Sequence, residues 1–224
     1  MTLLAGQVHL WTQSLSIPEP QIQAFASCLS GDEIERARRF HFEIHRNRFI
    51  AARGRLRHIL AAYLGRKPGD LVFTYGIYGK PALSGDAGNL AFNLSHSEDL
   101  AVYAILRNRE IGIDVEQIRE GPAEERIPEM FFSPSEVAAL RALAPTQQVE
   151  AFYRCWTRKE AYVKARSEGL SIPLDSFDVS LRPQDPAVFL RGAKGYSMFS
   201  FRVEPDYIGA IVAEGKDLVV LMKE

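Results

Sequence analysis

The sequence predicts an α+β fold, mixed α/β in its details, because helix-period and strand-period segments alternate along 224 residues with turn signals between them. Two segments carry most of that expectation. From Val149 to Lys164, the residues Val149, Phe152, Tyr153, Trp156 and Val163 fall on one helical face, with Glu160 near its centre. From Ile111 to Glu116, the residues Ile111, Ile113 and Val115 alternate with Gly112, Asp114 and Glu116, which is the period of a strand.

The remaining elements follow in order. Gln7 to Trp11 alternates as a strand, Ile17-Pro-Glu-Pro20 breaks it, and Gln21 to Leu29 suits a short helix. Ser30-Gly-Asp-Glu33 is a helix-start signal ahead of a basic segment, Ile34 to Phe40. A longer helix from about Phe42 to Leu64 gathers Phe42, Phe49, Ala52, Leu56, Leu60 and Tyr63 on one face, and Gly65 stops it. Leu71 to Thr74, Leu90 to Leu94 and the nearly all-apolar Leu100 to Leu106 are strands. Gly121 to Pro128 is a charged linker, and Ser133-Pro-Ser-Glu136 opens a helix to about Leu143 by capping-box spacing. The Glu160 helix should end near Gly169, and strands follow at Phe177 to Leu181, Val188 to Leu190, Tyr196 to Val203, Tyr207 to Ala213 and Leu218 to Met222. Both halves place long helices ahead of strands, so two lobes divided near residues 107 to 110 are expected.

A net charge of -1 excludes the global basic field that drives nonspecific nucleic-acid binding, so no nucleic-acid partner is expected. An apolar fraction of 46% with 25% charged residues is that of an ordinary globular chain. The two cysteines, Cys28 and Cys155, form no disulfide framework and have no metal-ligand spacing. Met1 to Leu10 lacks a basic run before an apolar one, and no segment approaches a membrane span, so the expectation is a cytoplasmic protein with no membrane partner.

Glu160 is the first candidate for chemistry. A charge among core-facing side chains must be paired, hydrogen-bonded, neutralised or metal-bound. Lys164, one turn on, is the simple structural partner. Asp114 and Glu116 share the polar side of their strand and repel each other unless something positive lies between them; a solvated strand edge is the plainer alternative. Hard oxygen ligands without thiolates or paired histidines suit Mg²⁺. Tyr75-Gly-Ile-Tyr-Gly-Lys-Pro81 offers backbone amides and a lysine to a phosphate, or is an ordinary hairpin turn. Phe92-Asn-Leu-Ser-His-Ser97 gathers Asn93, Ser95 and His96, which suit a diphosphate or satisfy local backbone groups. The arginines at 36, 38, 39, 46, 48, 53, 55 and 57 read as a solvated helix face, except that Arg53 lies close to the apolar stripe and could reach an anion or a carboxylate.

Taken in order, the basic helix pair, Gly79-Lys-Pro81, Asn93-Leu-Ser-His-Ser97, Gly112-Ile-Asp-Val-Glu116 and Trp156-Thr-Arg-Lys-Glu-Ala-Tyr-Val-Lys164 resemble the 4'-phosphopantetheinyl transferases of the surfactin-synthetase-activating (Sfp) type. The resemblance spans roughly residues 7 to 182 and rests most heavily on the last two motifs. It implies a pseudo-twofold monomer of two similar lobes, each a small sheet packed with a long helix. Residues 1–108 would supply the coenzyme A phosphate and adenine contacts, and residues 109–224 the metal site and catalytic helix. It also implies transfer of the phosphopantetheine arm of coenzyme A to a serine of an apo acyl, peptidyl or aryl carrier domain, releasing adenosine 3',5'-bisphosphate.

By that resemblance Asp114 and Glu160 hold Mg²⁺ against the diphosphate, with Glu116 as a third ligand or a neighbouring group. Lys164 contacts the phosphate or helps the leaving group. Tyr75, Gly79, Lys80 and Pro81 flank the adenine and its phosphates, with Ser95 and His96, and Asn93 beside them, on the pyrophosphate or 3'-phosphate side. Arg36 matches a basic residue that neutralises the 3'-phosphate. Glu33 departs from the lysine of some members, so Arg53 could complete that clamp. Glu160 is the expected base, with Glu116 as the alternative. The residues alone also admit a different Mg²⁺-dependent phosphoryl or nucleotidyl transferase, or a noncatalytic module that binds coenzyme A or a carrier. Met130, Phe131 and Phe132 serve either as an apolar docking element or as core.

Overall fold

The computed structural model describes residues 1–85, 89–123 and 125–223. The chain runs β1 (Gln7–Ser14), α1 (Glu19–Ala26), α2 (Gly31–Arg38), α3 (Glu43–Leu64), β2 (Phe73–Tyr75), β3 (Pro81–Leu83), β4 (Leu90–Ser97), β5 (Leu100–Arg107) and β6 (Ile111–Gln117). It continues with α4 (Ile127–Phe131), α5 (Pro134–Arg141), α6 (Pro145–Arg166), β7 (Asp178–Val179), β8 (Phe189–Arg191), β9 (Tyr196–Val203), β10 (Tyr207–Glu214) and β11 (Val219–Lys223). This is the α+β class that the patterning predicts. Among the described residues no helix is long and apolar enough to cross a membrane.

Local chemistry sets the helix ends. Gly65 takes φ +64 and caps α3 in the left-handed region, where a Cβ is penalised. The α5 capping box is complete: Ser133 N donates to Glu136 Oε2 at 2.9 Å and Glu136 N to Ser133 Oγ at 3.3 Å. α6 ends earlier than the Gly169 signal suggested, because Ser167 itself turns to φ +57 as its cap.

Among the described residues, strand alternation sorts the apolar side chains into three cores. Of the two larger sheets, one has the order β11-β1-β5-β4 and the other β6-β10-β9; β2 pairs with β3 and β7 with β8 in two-stranded sheets. On β5, Ala101, Tyr103 and Ile105 pack with Leu56, Leu60 and Tyr63 of α3. The alternate residues Val102, Ala104 and Leu106 meet Ile111, Ile113 and Val115 of β6 and Ile211 of β10 between the sheets. Ala210 and Val212 of β10 face the opposite way, onto Phe152, Ala161 and Val163 of α6. The layers are therefore helix, sheet, sheet, helix, and each fully buried aliphatic side chain contributes roughly 1.5–3 kcal/mol.

Two expectations need correction. β11 returns to pair in parallel with β1, Gln7 opposite Val219, so the final strand lies in the sheet of the first half rather than with the other residues after 108. β6 is not a freely solvated strand: its branched residues fill the inter-sheet core, Gly112 lies under the backbone of α6, and of the two carboxylates on that side Asp114 is buried and Glu116 half-buried. Asp114 is only 4% exposed as a result.

The close approach of α6 explains the glycine in Gly112-Ile-Asp-Val-Glu116. A Cβ at Gly112 would overlap Ala161 O and Ala165 N and lie 2.9 Å from Lys164 C, all backbone atoms that cannot rotate aside. We expect Gly112→Ala to lower stability by about 3 kcal/mol or more in urea unfolding, through overpacking. Gly31→Ala, where nothing lies within 4 Å, should change it by less than about 1 kcal/mol. Equal effects at the two positions would contradict this packing.

Candidate active site

A cleft of about 500 Å³ opens between the two long helices. Its walls are Arg36 of α2, Phe49, Ala52 and Arg53 of α3, Tyr75, Gly79 and Pro81 around the β2–β3 turn, and Leu94, Ser95 and His96 of β4. Asp114 and Glu116 of β6 and Trp156, Glu160 and Lys164 of α6 complete it.

The acidic part is assembled where β4, β6 and α6 meet. Asp114 Oδ1 accepts from Lys164 Nζ at 2.6 Å and from Ser95 Oγ at 2.8 Å, and Lys164 Nζ also donates to Ser95 Oγ at 3.0 Å. Asp114 Oδ2 is buried with no hydrogen-bond partner among the described residues. Ser97 Oγ donates to Glu116 Oε2 at 2.9 Å. Lys164 thus pairs with Asp114, and no ion pair with Glu160 forms, unlike the simple i,i+4 expectation.

Trp156, Glu160 and Lys164, four residues apart, form a half-buried stripe along the cleft edge of α6. Glu160 therefore lies at the border of the apolar face rather than at its centre. The rotation of α6 is held from behind. Lys159 Nζ, fully buried, sits 2.8 Å from Glu136 Oε2 and donates to Leu174 O and Phe177 O, both at 2.6 Å. Glu136 Oε1 in turn accepts from Val179 N at 2.8 Å.

Burial raises the Glu160 and Glu116 carboxyls above their ordinary value, and the Asp114 charge adds to both shifts. Lys164 offsets part of each. His96, on the cleft wall, is pushed down, first by desolvation from the surrounding protein and then by the Lys164 and Arg48 charges, which favours a neutral imidazole.

The basic part lies on α2 and α3. Arg53 is buried, donates through Nη2 to Tyr75 Oη, and sits 5.3 Å from the Phe73 ring centre. Arg36 lies over the Phe49 ring at 5.4 Å. Glu33 turns inward, only 1% exposed, with Arg57 Nε donating to it at 2.7 Å and Arg53 Nε 3.2 Å away. Arg57, read from sequence as part of a solvated face, is completely buried.

Two expected ligand contacts are engaged elsewhere. Lys80 Nζ donates to Ile111 O at 2.9 Å, Lys164 O at 2.6 Å and Ala165 O at 3.3 Å, tying the β2–β3 turn to the end of α6. Burial lowers its pKa to about 8. Asn93 Oδ1 accepts from Ile113 N at 2.9 Å and so joins β4 to β6. Phe132 stacks on Phe152 in the core, leaving Met130 and Phe131 exposed. Sequence reasoning missed Phe49 as a cleft wall and took Trp156 only as core; the four-residue spacing of Trp156, Glu160 and Lys164 carried the signal for the latter.

The raised carboxyls have a consequence for stability. A folded-state value above the unfolded one favours the native state at low pH, and that contribution is lost as pH rises through the folded value. In metal-free protein at pH 7, Glu160→Gln and Glu116→Gln should each raise Tm, and the gain should vanish below the ordinary carboxyl value of 4.5. Melting curves across that range in EDTA check this; a lower Tm in both variants at pH 7 would contradict it.

Residues 110–212 match the 4'-phosphopantetheinyl transferase superfamily, and residues 14–107 match the family described as 4'-phosphopantetheinyl transferase, N-terminal. The chain is similar to the 4'-phosphopantetheinyl transferase HetI of Nostoc sp. (strain PCC 7120), 43% identical over 96% of this chain and 91% of that protein. It is also similar to the 4'-phosphopantetheinyl transferase Sfp of Bacillus subtilis (strain 168), 30% identical over 90% of this chain and 89% of that protein. With matches covering both halves, the chain is an enzyme that belongs to the 4'-phosphopantetheinyl transferase superfamily.

Proposed function

We propose that this enzyme transfers the 4'-phosphopantetheine arm of coenzyme A to a serine hydroxyl of an apo carrier domain, with Mg²⁺, releasing adenosine 3',5'-bisphosphate. The observation that carries the reading is one cleft with carboxylates and a lysine at one end and arginines at the other. Coenzyme A has matching charge: a diphosphate, and a phosphomonoester on the ribose. The proposed setting is a cytoplasmic monomer, in keeping with two free cysteines.

The donor set suits a hard divalent cation. Asp114 Oδ2 is buried without a partner, and Glu116 and Glu160 stand close enough to Asp114 to be raised by its charge. Among the described residues no three acidic, histidine or cysteine side chains already enclose a metal position. Mg²⁺ does not need such a cage, since it usually takes one or two carboxylates with water and substrate phosphate. Bound by Asp114 and Glu160 with Glu116 alongside, it would neutralise diphosphate charge.

The protein side chains supply the rest. Glu160 takes the proton of the carrier serine, directly or through a water beside it. The serine oxygen bonds to the phosphorus bearing pantetheine, and the bond from that phosphorus to the bridging oxygen breaks. Lys164, held by Asp114 and Ser95, offers its ammonium to the departing phosphate. His96 donates to a phosphate oxygen, while Tyr75, Gly79 and Pro81 form the wall for the adenosine.

The test is the intact mass of an apo carrier protein after incubation with enzyme, coenzyme A and Mg²⁺. A gain of one phosphopantetheine, lost in EDTA, is expected. Asp114→Ala and Glu160→Ala should slow transfer by about 10³-fold while melting cooperatively. Near wild-type turnover in either variant would overturn the shared role of these carboxylates. No gain with several carriers, despite coenzyme A binding, would overturn the proposed reaction.

A further inference from the structure

Glu33 lies outside the reacting atoms, yet it is the most constrained charge on the arginine side. It is 1% exposed and accepts from Ser30 N at 3.0 Å as well as meeting Arg57 and Arg53. Its two guanidinium neighbours are held differently. Arg57 is tied into the scaffold: Nε donates to Glu33 Oε2 at 2.7 Å, and Nη1 to Pro68 O and Leu71 O, both at 2.9 Å, while Nη2 is buried without a partner among the described residues. Arg53 Nε lies 3.2 Å from Glu33 Oε1, but neither atom makes an aligned hydrogen bond.

One carboxylate therefore faces two buried guanidiniums, and the cluster carries one excess positive charge. An uncompensated charge removed from water is costly and calls for an anion. Each guanidinium keeps one buried nitrogen without a partner, but only Arg53, which also donates to Tyr75 Oη, lines the cleft, so an anion in the cleft meets the excess at Arg53. A second hollow beside Glu33, lined by Asp32, Arg36, Arg39, Phe40 and Tyr75, adjoins the cleft through Arg36, Tyr75 and Gly79, and its two arginines outnumber the exposed Asp32.

We propose that Glu33 is a positioning residue: with its charge balanced mainly by Arg57, it fixes the Arg53 guanidinium toward the cleft, and so makes the enzyme select the ribose phosphomonoester of its donor substrate. This rests on coenzyme A being that donor. Fixing a planar guanidinium before the ligand arrives removes an ordering cost that a mobile side chain would bear on binding.

The test compares coenzyme A with 3'-dephospho-coenzyme A as donors to one saturating carrier. Glu33→Gln alone would leave two buried positive charges, so the informative variant is Glu33→Gln with Arg57→Met, which keeps the excess at one while removing the carboxylate beside Arg53 and leaving its Tyr75 bond in place. It should raise KM for coenzyme A about tenfold, keep kcat within about twofold, and leave kcat/KM for the dephospho donor within about twofold. Arg53→Met should lose the same discrimination, and adding the other two substitutions to it should cause no further loss. Glu33→Asp, which keeps the charge but withdraws it by one methylene, supplies a second reading if the double variant does not fold. It should raise KM for coenzyme A alone by about threefold. Unchanged discrimination in folded variants, or a wild type that uses both donors equally, overturns the positioning role. A wild type that transfers from neither donor would instead overturn the proposed reaction.

Discussion

The Asp114 carboxylate is the point on which the architecture and the chemistry both depend. It lies at the seam where β4, β6 and α6 converge, with Oδ1 shared by Ser95 and Lys164 and Oδ2 left without a partner among the described residues. A buried carboxylate that is only half satisfied would be a defect in a purely structural setting. Here the satisfied oxygen joins three elements, and the other stays available within a cleft where Glu116 and Glu160 add further negative charge. Asn93 and Ser97 extend the same seam with side-chain bonds to Ile113 N and Gln117 N. Side chains of β4 thus do across the two sheets what main-chain ladders do within each.

That seam constrains α6 from both sides. In front, Gly112 lets the helix backbone come within van der Waals distance of β6, which brings Lys164 to Asp114. Behind, the fully buried Lys159–Glu136 pair, with Leu174 O and Phe177 O, fixes how the helix is rotated. Such a pair adds little net stability, since desolvation offsets much of its attraction, but it disfavours every rotation that would leave either charge unpaired. Glu160, the next residue along, then lines the cleft. Lys80, reaching three carbonyls near the end of α6 and the start of β6, locks the β2–β3 turn to the same assembly.

How much of this was legible in the chain depends on whether the cause is local. The two long helices, the Gly65 and Ser133 caps and the carboxylates of β6 and α6 follow from period and spacing, which neighbouring residues determine. The burial of Arg57 and Glu33 does not, because it arises only when α2 packs on α3 and Phe73 closes over the guanidiniums. Glu33 makes sense only as the counter-charge of two arginines distant in sequence. The fate of Lys80 and Asn93 was hidden for the same reason: their partners lie on β6 and α6. No periodic signal could tell β11 to rejoin β1, since strand pairing is decided by non-local burial.

If Asp114 is the half-satisfied anchor of a cation site that the substrate diphosphate completes, calorimetric titration of Mg²⁺ tests it most directly. Mg²⁺ should bind the wild-type protein weakly alone and much more tightly once coenzyme A is present. The Asp114→Asn variant, close in shape but without the charge, should still bind coenzyme A yet lose that enhancement. Equal Mg²⁺ affinity in the Asp114→Asn variant and the wild type, each saturated with coenzyme A, would contradict the account.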